Sequence, residues 1–419
     1  MREHGQADRA PCPHFPLCVG CPLIRVPYAD QLGRKQAELR ASIDAYPRLR
    51  ALALEPPCAS PKLLGYRNHA KLVFRGRTGG GRREVVLGVY RPGTHSVLPA
   101  DGCIIHTPEI RPILRALRRE VEALGIPIFD ERVRRGFLRY ALARSSSAAR
   151  EVHLTLVVAR REVPQLDVLA ARLRRAHPAL GALFVCVNPT TGNRLLSDDV
   201  RRVFGRPSLV ERFGGHELES GPTAFLQANV GVASRIYASV VRWLDPAPDE
   251  SVLDLYCGVG GVALAVAERA QGVVGIEASE AAIACAHANR RRAGRTNVRF
   301  LAGRAEDAIV LARQAAIERV DLAVVNPPRA GLGLEVREAL VRLAPRRLAY
   351  VSCNPQTLAR DLDWFAGRGH ATQRLRVFDM LPQTPHVEAL ALVEAEAGAA
   401  PARAVKTASE RGTPGTSGS

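Results

Sequence analysis

No stretch of the 419-residue chain is long and apolar enough to span a bilayer, and the first residues, MREHGQADRAPCPH, contain no apolar core of an export signal. The expectation is a cytoplasmic protein with no membrane partner. Internal repeats are absent too, which argues against a solenoid or propeller. Acidic residues are in deficit: 41 Asp and Glu face 59 Lys and Arg, a formal net charge of +18. Arg dominates the basic side, which favours forked contacts to phosphate and makes nucleic acid the natural partner. What remains is ordinary for a folded protein, with 47% hydrophobic and 24% charged residues, and a length that predicts about two or three domains.

Nine cysteines without an export signal point to a reducing compartment, where clustered thiols mean metal or catalysis more often than disulfides. Cys12, Cys18 and Cys21 follow a C-x5-C-x2-C spacing within APCPHFPLCVGCP. A proline-rich loop of this kind buries little apolar surface, so a bound metal is the best explanation of its order. The fourth ligand is expected from Cys103, with Cys58 in reserve. Spacing alone leaves Zn²⁺ and a [4Fe–4S] cluster both open.

Along the chain, PYADQLGRKQAEL reads as a helix, and 66–76, 84–102 and 151–159 read as strands of a mainly antiparallel sheet. Arg67, Lys71, Arg75, Arg91 and the Arg-rich stretch from Arg111 to Arg139 are expected to form a surface that reads an RNA backbone. A boundary is expected at Phe213-Gly214-Gly215, after which strands and helices alternate, as in a parallel sheet with right-handed crossovers. The predicted division is an iron–sulfur segment and start of a central β domain over 1–105, the rest of that RNA-binding domain over 106–213, a catalytic domain over 214–396, and a disordered tail over 397–419.

Three motifs of the second half carry chemistry. VLDLYCGVGG, with Tyr256, Gly258 and Gly260, lets a cofactor approach the backbone, and Glu277 follows at the next strand end, about twenty residues on, where ribose hydroxyls are met. No GK[ST] follows the glycines, so ATP hydrolysis is disfavoured, while a nicotinamide site stays open on these two features alone. VVNPPRAGLG offers Arg329 to an oxygen gaining negative charge. In RLAYVSCNPQTLARD a strand runs into Cys353, and Pro355 opens a helix, so the thiol sits where clefts form in open α/β sheets and where helix-end charge lowers a thiol pKa.

In that order and spacing, DLYCGVGG, NPPRAGLG, VSCNPQTLARDL and DMLPQTPHVE resemble the RNA uracil-C5 methyltransferases. CPHFPLCVGC and GVYRPGTHSVLPADGC are similar to the iron–sulfur members acting on 23S rRNA, over roughly residues 10–395. No room is expected before Cys12 for the extra β-barrel RNA-binding domain of longer members, which places the chain nearest the short type. The resemblance implies an α/β fold: a Rossmann-like class I methyltransferase domain after an N-terminal β-rich, iron–sulfur and RNA-binding domain. It implies S-adenosyl-L-methionine held by Gln227, Tyr256, Glu277 and Asn326, with Gly258 in the glycine turn. It implies a [4Fe–4S] cluster on Cys12, Cys18, Cys21 and Cys103, with Cys353 as nucleophile and Glu388 as general base.

The chemistry fits independently. Uracil C5 is too weak a nucleophile until a thiolate adds at C6, and a carboxylate must later remove the C5 proton. Asp361 is the competing carboxylate. The expected partner is 23S rRNA at an unpaired uridine, met by a monomeric enzyme. Two alternatives are carried: a tRNA uridine-C5 methyltransferase, and a non-catalytic iron–sulfur RNA-binding protein.

Overall fold

A computed structural model describes residues 12–79, 82–190, 195–315 and 319–396. The tail expected over 397–419 lies outside the described residues. None of the helices described is long and apolar enough to cross a membrane.

After the cysteine loop comes α1 (Tyr28–Asp44), then β1 (Glu55–Cys58). The central sheet follows: β2 (His69–Gly79), β3 (Arg82–Tyr90), β4 (Val97–Pro99), α2 (Ile110–Ala123), β5 (Leu138–Ser146), β6 (Glu151–Val158), α3 (Leu166–Ala176), β7 (Leu180–Val187) and β8 (Val200–Gly205). Its order is β4-β3-β2-β5-β6-β7-β8, antiparallel except for β6 and β7, which α3 connects as a crossover. Alternation decides the faces: Leu72 and Phe74 of β2 pack with Leu114 and Leu117 of α2, while Val73 points to the opposite, open face.

The Arg-rich stretch is therefore divided. Arg111, Arg115, Arg118 and Arg119 ride on α2 behind the sheet, where Arg118 pairs with Asp101 at 2.9 Å. Lys71 and Arg75 share Val73's face in front. The single RNA-reading surface expected from the sequence is split by an amphipathic helix that the charge pattern concealed.

The boundary expected at Phe213-Gly214-Gly215 falls in a hairpin turn between β9 (Leu209–Phe213) and β10 (His216–Ser220). Both glycines have positive φ, 56° and 95°, as a two-residue turn demands. β9 belongs to the central domain, where the Glu211 carboxylate accepts the Ser147 N–H at 2.8 Å. β10 belongs to the catalytic domain, where Asn289 bonds both the N–H and the C=O of Glu219, at 2.7 and 3.1 Å.

The second sheet alternates with helices: α4 (Val230–Leu244), β11 (Ser251–Leu255), α5 (Gly261–Val266), β12 (Gly272–Glu277), α6 (Glu280–Arg292), β13 (Val298–Ala302), α7 (Ala308–Gln314), β14 (Leu322–Val325), α8 (Leu334–Leu343), β15 (Arg347–Ser352), α9 (Pro355–Ala366), β16 (His370–Phe378) and β17 (Glu388–Ala395). Its order is β13-β12-β11-β14-β15-β17-β16, parallel apart from β17. This is the Rossmann-like methyltransferase arrangement. Adjacent strand residues face opposite ways. Val252 and Val324 join the α4–α6 core, and Leu253 and Ala323 join the core beneath α1, α8 and α9.

Within the span 1–105, β2, β3 and β4 belong to the central sheet, while α1 and β1 join the second sheet. β1 pairs in parallel with β16 as an eighth strand, and α1 buries Leu39 and Ile43 beside Phe365 of α9. A buried ion pair between Lys35 and Asp379 fastens α1 to the end of β16, and Tyr28 donates to the same carboxylate at 2.9 Å. Breaking one partner leaves the other charged and dry. Asp379→Ala is expected to lower stability by about 3–5 kcal/mol, measured by denaturant unfolding, whereas Lys35→Met with Asp379→Leu restores most of it.

Candidate active site

Cys353 follows the last residue of β15 and precedes the Asn354 N-cap, whose side chain accepts the Gln356 N–H at 3.1 Å. β17 runs antiparallel beside β15, and Ser352 pairs with Ala389. One step further along this register brings Cys353 beside Glu388. Arg329 arrives from the loop after β14, its carbonyl held by Asn354 Nδ2 at 2.9 Å and Thr357 Oγ1 at 3.2 Å. Cys353 and Arg329 line a cavity of about 530 Å³.

The three groups interact electrically. Burial and the Glu388 charge push the Cys353 thiol above the ordinary thiol value, and the Arg329 guanidinium opposes that rise. The expected helix-end lowering is thus overridden: desolvation and a like charge at the thiol outweigh an N-terminal dipole. Glu388 is 8% exposed, and burial pushes it up to about 7, again with Arg329 pulling the other way. A carboxyl poised there suits proton transfer near neutrality. Asp361, the rival carboxylate, is fully buried and committed elsewhere. It accepts from Tyr350 Oη and Leu332 N, each at 2.8 Å, and from Arg360 Nε at 2.9 Å. It fixes the loop carrying Arg329 instead of facing the thiol.

Sequence reasoning missed part of the wall. His386 Nδ1 lies 3.3 Å from Arg329 Nη2, and burial and the nearby cations hold the imidazole below its usual value, leaving it neutral and able to accept. Its only signal was its place in TPHVE. Arg34, Lys35 and Glu38 of α1 also line the cavity, and Glu38 accepts from Gln356 Nε2 at 2.6 Å. Nothing local in that helix foretells its partnership with residues some 300 positions away.

Tyr256, Glu277 and Asn326 stand at or just beyond the carboxyl ends of β11, β12 and β14, three neighbouring strands. Glu277 accepts N–H bonds from Gly258 at 3.2 Å and Ser279 at 2.9 Å. Gly258 has φ 55° and open space where a Cβ would stand, a cradle through which a ligand reaches backbone. Gln227 comes from the segment leading into α4, its carbonyl receiving Asn68 Nδ2 at 3.1 Å. Beneath the glycine turn lies Asp254 of the same VLDLYCGVGG motif, which burial raises to about 8 and which keeps Oδ2 unpartnered.

The thiols of Cys12, Cys18, Cys21 and Cys103 converge. Burial pushes Cys21 up to about 12, with Cys103, Cys18 and Cys12 each adding to the rise. Cys21 packs with Ile24, Tyr66 and Ile105, and Cys12 and Cys103 adjoin them. Cys58, the reserve ligand, sits apart in β1 within the core of the catalytic sheet. Among the described residues no group of three or more His, Cys, Asp or Glu stands close enough to hold a single metal ion.

Comparison with known proteins sharpens this picture. Residues 216–396 match the family model described as tRNA (Uracil-5-)-methyltransferase. The chain is 37% identical to a protein of Geobacter sulfurreducens named an RNA methyltransferase, over 91% of this chain and 76% of that one. A similarly named protein of Thermosynechococcus vestitus is 34% identical over 94% and 86%. A crystal structure of the Pyrococcus abyssi tRNA (uracil-54, C5)-methyltransferase with S-adenosyl-L-homocysteine superposes with TM-score 0.73 and 25% identity, covering 90% of this chain and 86% of that one.

The electrostatics make a signed prediction for the thiol. Alkylation of Cys353 by iodoacetamide is expected to titrate above the ordinary thiol pKa. Glu388→Gln removes a like charge and shifts the midpoint down; Arg329→Met removes the opposing cation and shifts it up. Mass spectrometry of the Cys353 peptide across pH reads both shifts.

Proposed function

Because the chain belongs to the RNA uracil-C5 methyltransferase family, a group of S-adenosylmethionine-dependent enzymes, we propose that it converts an unpaired uridine of 23S rRNA to 5-methyluridine through a covalent Cys353 adduct. The observation that carries this reading is the grouping of Cys353, Glu388 and Arg329 at one sheet edge.

Cys353 as thiolate adds to C6 of the uracil, breaking the C5–C6 π bond and making C5 an enolate carbon. Arg329 donates to the oxygen at C4, where the negative charge collects, and the same cation favours the thiolate beforehand. Bound S-adenosylmethionine supplies the electrophilic methyl group. Tyr256, Glu277, Asn326 and Gln227 are the residues proposed to hold it, with Glu277 taking ribose hydroxyls and Gly258 admitting close approach. Glu388 as carboxylate then takes the C5 proton, the C5–C6 double bond re-forms, and Cys353 leaves as thiolate. A stacked, paired base does not reach a thiol at the bottom of such a cavity, so the target is unpaired or flipped.

We infer that Cys12, Cys18, Cys21 and Cys103 would hold a [4Fe–4S] cluster, the reading motivated by the mutual influence of their thiols. A four-iron cube is wider than one ion, so four thiolates that form no single-ion site would still suit it. Such a cluster would staple the N-terminal loop beside the cavity, with no part in the methyl transfer. One further reading follows from a particular observation. The family model and the superposed structure are both named for tRNA, which makes tRNA the second substrate to test.

Cys353→Ala is expected to abolish methyl transfer and the covalent adduct with 5-fluorouridine RNA, seen as a shifted band on denaturing gels. Glu388→Gln is expected to form the adduct and release product at least about a hundredfold more slowly, in line with loss of a general base. Mapping 5-methyluridine in both rRNA and tRNA of a deletion strain decides the substrate. For the cluster, anaerobically purified protein is expected to carry iron and acid-labile sulfide in equal amounts, with Cys21→Ser losing both.

A further inference from the structure

The largest cavity described lies away from Cys353, on the open face of the central sheet. It measures about 820 Å³ and is lined by Lys71 of β2, Tyr90 of β3, Tyr140 of β5, Arg139 and the turn from Arg91 to His95. Its far wall is Val19 of the cysteine loop, a large apolar side chain left 57% exposed. The same loop supplies Leu23 to the wall of the Cys353 cavity, where Leu23 N donates to Gln383 O at 3.1 Å. One loop therefore borders both hollows.

The chemistry of the second hollow is specific. Val73 pairs with Tyr140 on one side and Gly88 on the other, so Tyr140 and Tyr90 stand on the same face, with their hydroxyls in hydrogen-bond reach. Both rings are half-buried, held by Val73, Val86 and Val97 beneath them. Lys71 shares their face, and Arg75 lies near enough to act on Tyr90. Arg139 is only 6% exposed. Nη1 donates to Asn188 O at 2.7 Å and Thr190 O at 2.6 Å, Nη2 stands 3.6 Å from Glu131, and Nε has no partner. Glu131 is the one carboxylate among the lining residues, so the hollow is cationic with aromatic walls. Those are the two features that single-stranded nucleic acid uses, a charged track for phosphates and π-faces for bases.

We propose that this hollow is a second nucleotide subsite, in which an unpaired base of the substrate RNA stacks on Tyr90 or Tyr140 while Lys71 and Arg91 hold its phosphates. The inference rests on the reading of the protein as an RNA-modifying enzyme and deepens it. RNA leaving the Cys353 cavity crosses the cysteine loop and enters the hollow, so the loop sets the separation between the modified base and the anchored one. Val19 closes the stack from above.

The test measures binding apart from transfer. Fluorescence anisotropy of a labelled single-stranded RNA of mixed adenosine and uridine is followed for the full-length protein carrying Tyr90→Leu, Tyr140→Leu, or both. Loss of one stacked base weakens binding by about tenfold or more. Tyr90→Phe and Tyr140→Phe keep the π-face and bind within about twofold of the parent, which separates stacking from a lost hydroxyl or a disturbed fold. Lys71→Gln lowers the salt slope of binding by about one. Leucine variants that bind like the parent, or phenylalanine variants that weaken as much as leucine, overturn the subsite. Methyl transfer to the same RNA, run in parallel, tests the enzymatic reading independently: its absence with binding still sensitive to Tyr90 rejects the reaction and keeps the subsite.

Discussion

The active site depends on the register of one reversed strand. β17 enters the sheet between β15 and β16 against the direction of both, with Ser352 opposite Ala389 and Phe378 opposite Glu388. Only in that register does the start of β17 reach the carboxyl end of β15, so that the carboxylate meets the thiol. A slip of one residue would turn Glu388 to the other face and move the buried Leu390 and Leu392 out of their core. The two faces of β17, Leu390 and Leu392 on one and Ala389 and Ala391 on the other, thus fix the register that sets Glu388 beside Cys353.

Around that pairing the protein invests in holding Arg329. The loop after β14 is clamped by α9 through Asn354 and Thr357, through Arg360, which donates to the carbonyls of Ala330 at 3.0 Å and Leu332 at 3.3 Å, and through Asp361 on the Leu332 N–H. Cys353, its N-cap neighbour and the residues that fix Arg329 all belong to one short run of sequence. The cation serves two masters, opposing the rise that burial imposes on both Cys353 and Glu388.

The catalytic sheet was legible because its strands alternate with helices of ordinary length, and because glycines, prolines and the thiol punctuate the strand ends where ligands bind. Cys353, Glu388 and Arg329, named from those strand ends, are brought together by the fold. The helix-end argument for Cys353 failed because it weighed a dipole and could not weigh burial. In the central domain a run of arginines hid α2, whose apolar residues fall between the charges. Phe213-Gly214-Gly215 read as a boundary because the chain changes there from strands to alternating strands and helices; the tight hairpin its glycine pair forms was not foreseen. The contributions of α1 depend on contacts with residues near the other end of the chain and leave no local trace.

Those contacts also order events during synthesis. The outermost strand of the catalytic sheet, β1, is made well before its neighbour β16 and the carboxylate that anchors Lys35. β1 must wait, unpaired, until some 320 further residues have been translated. Docking of α1 and β1 thus cannot precede the making of β16, and the outer edge of this sheet closes only after its centre has been made.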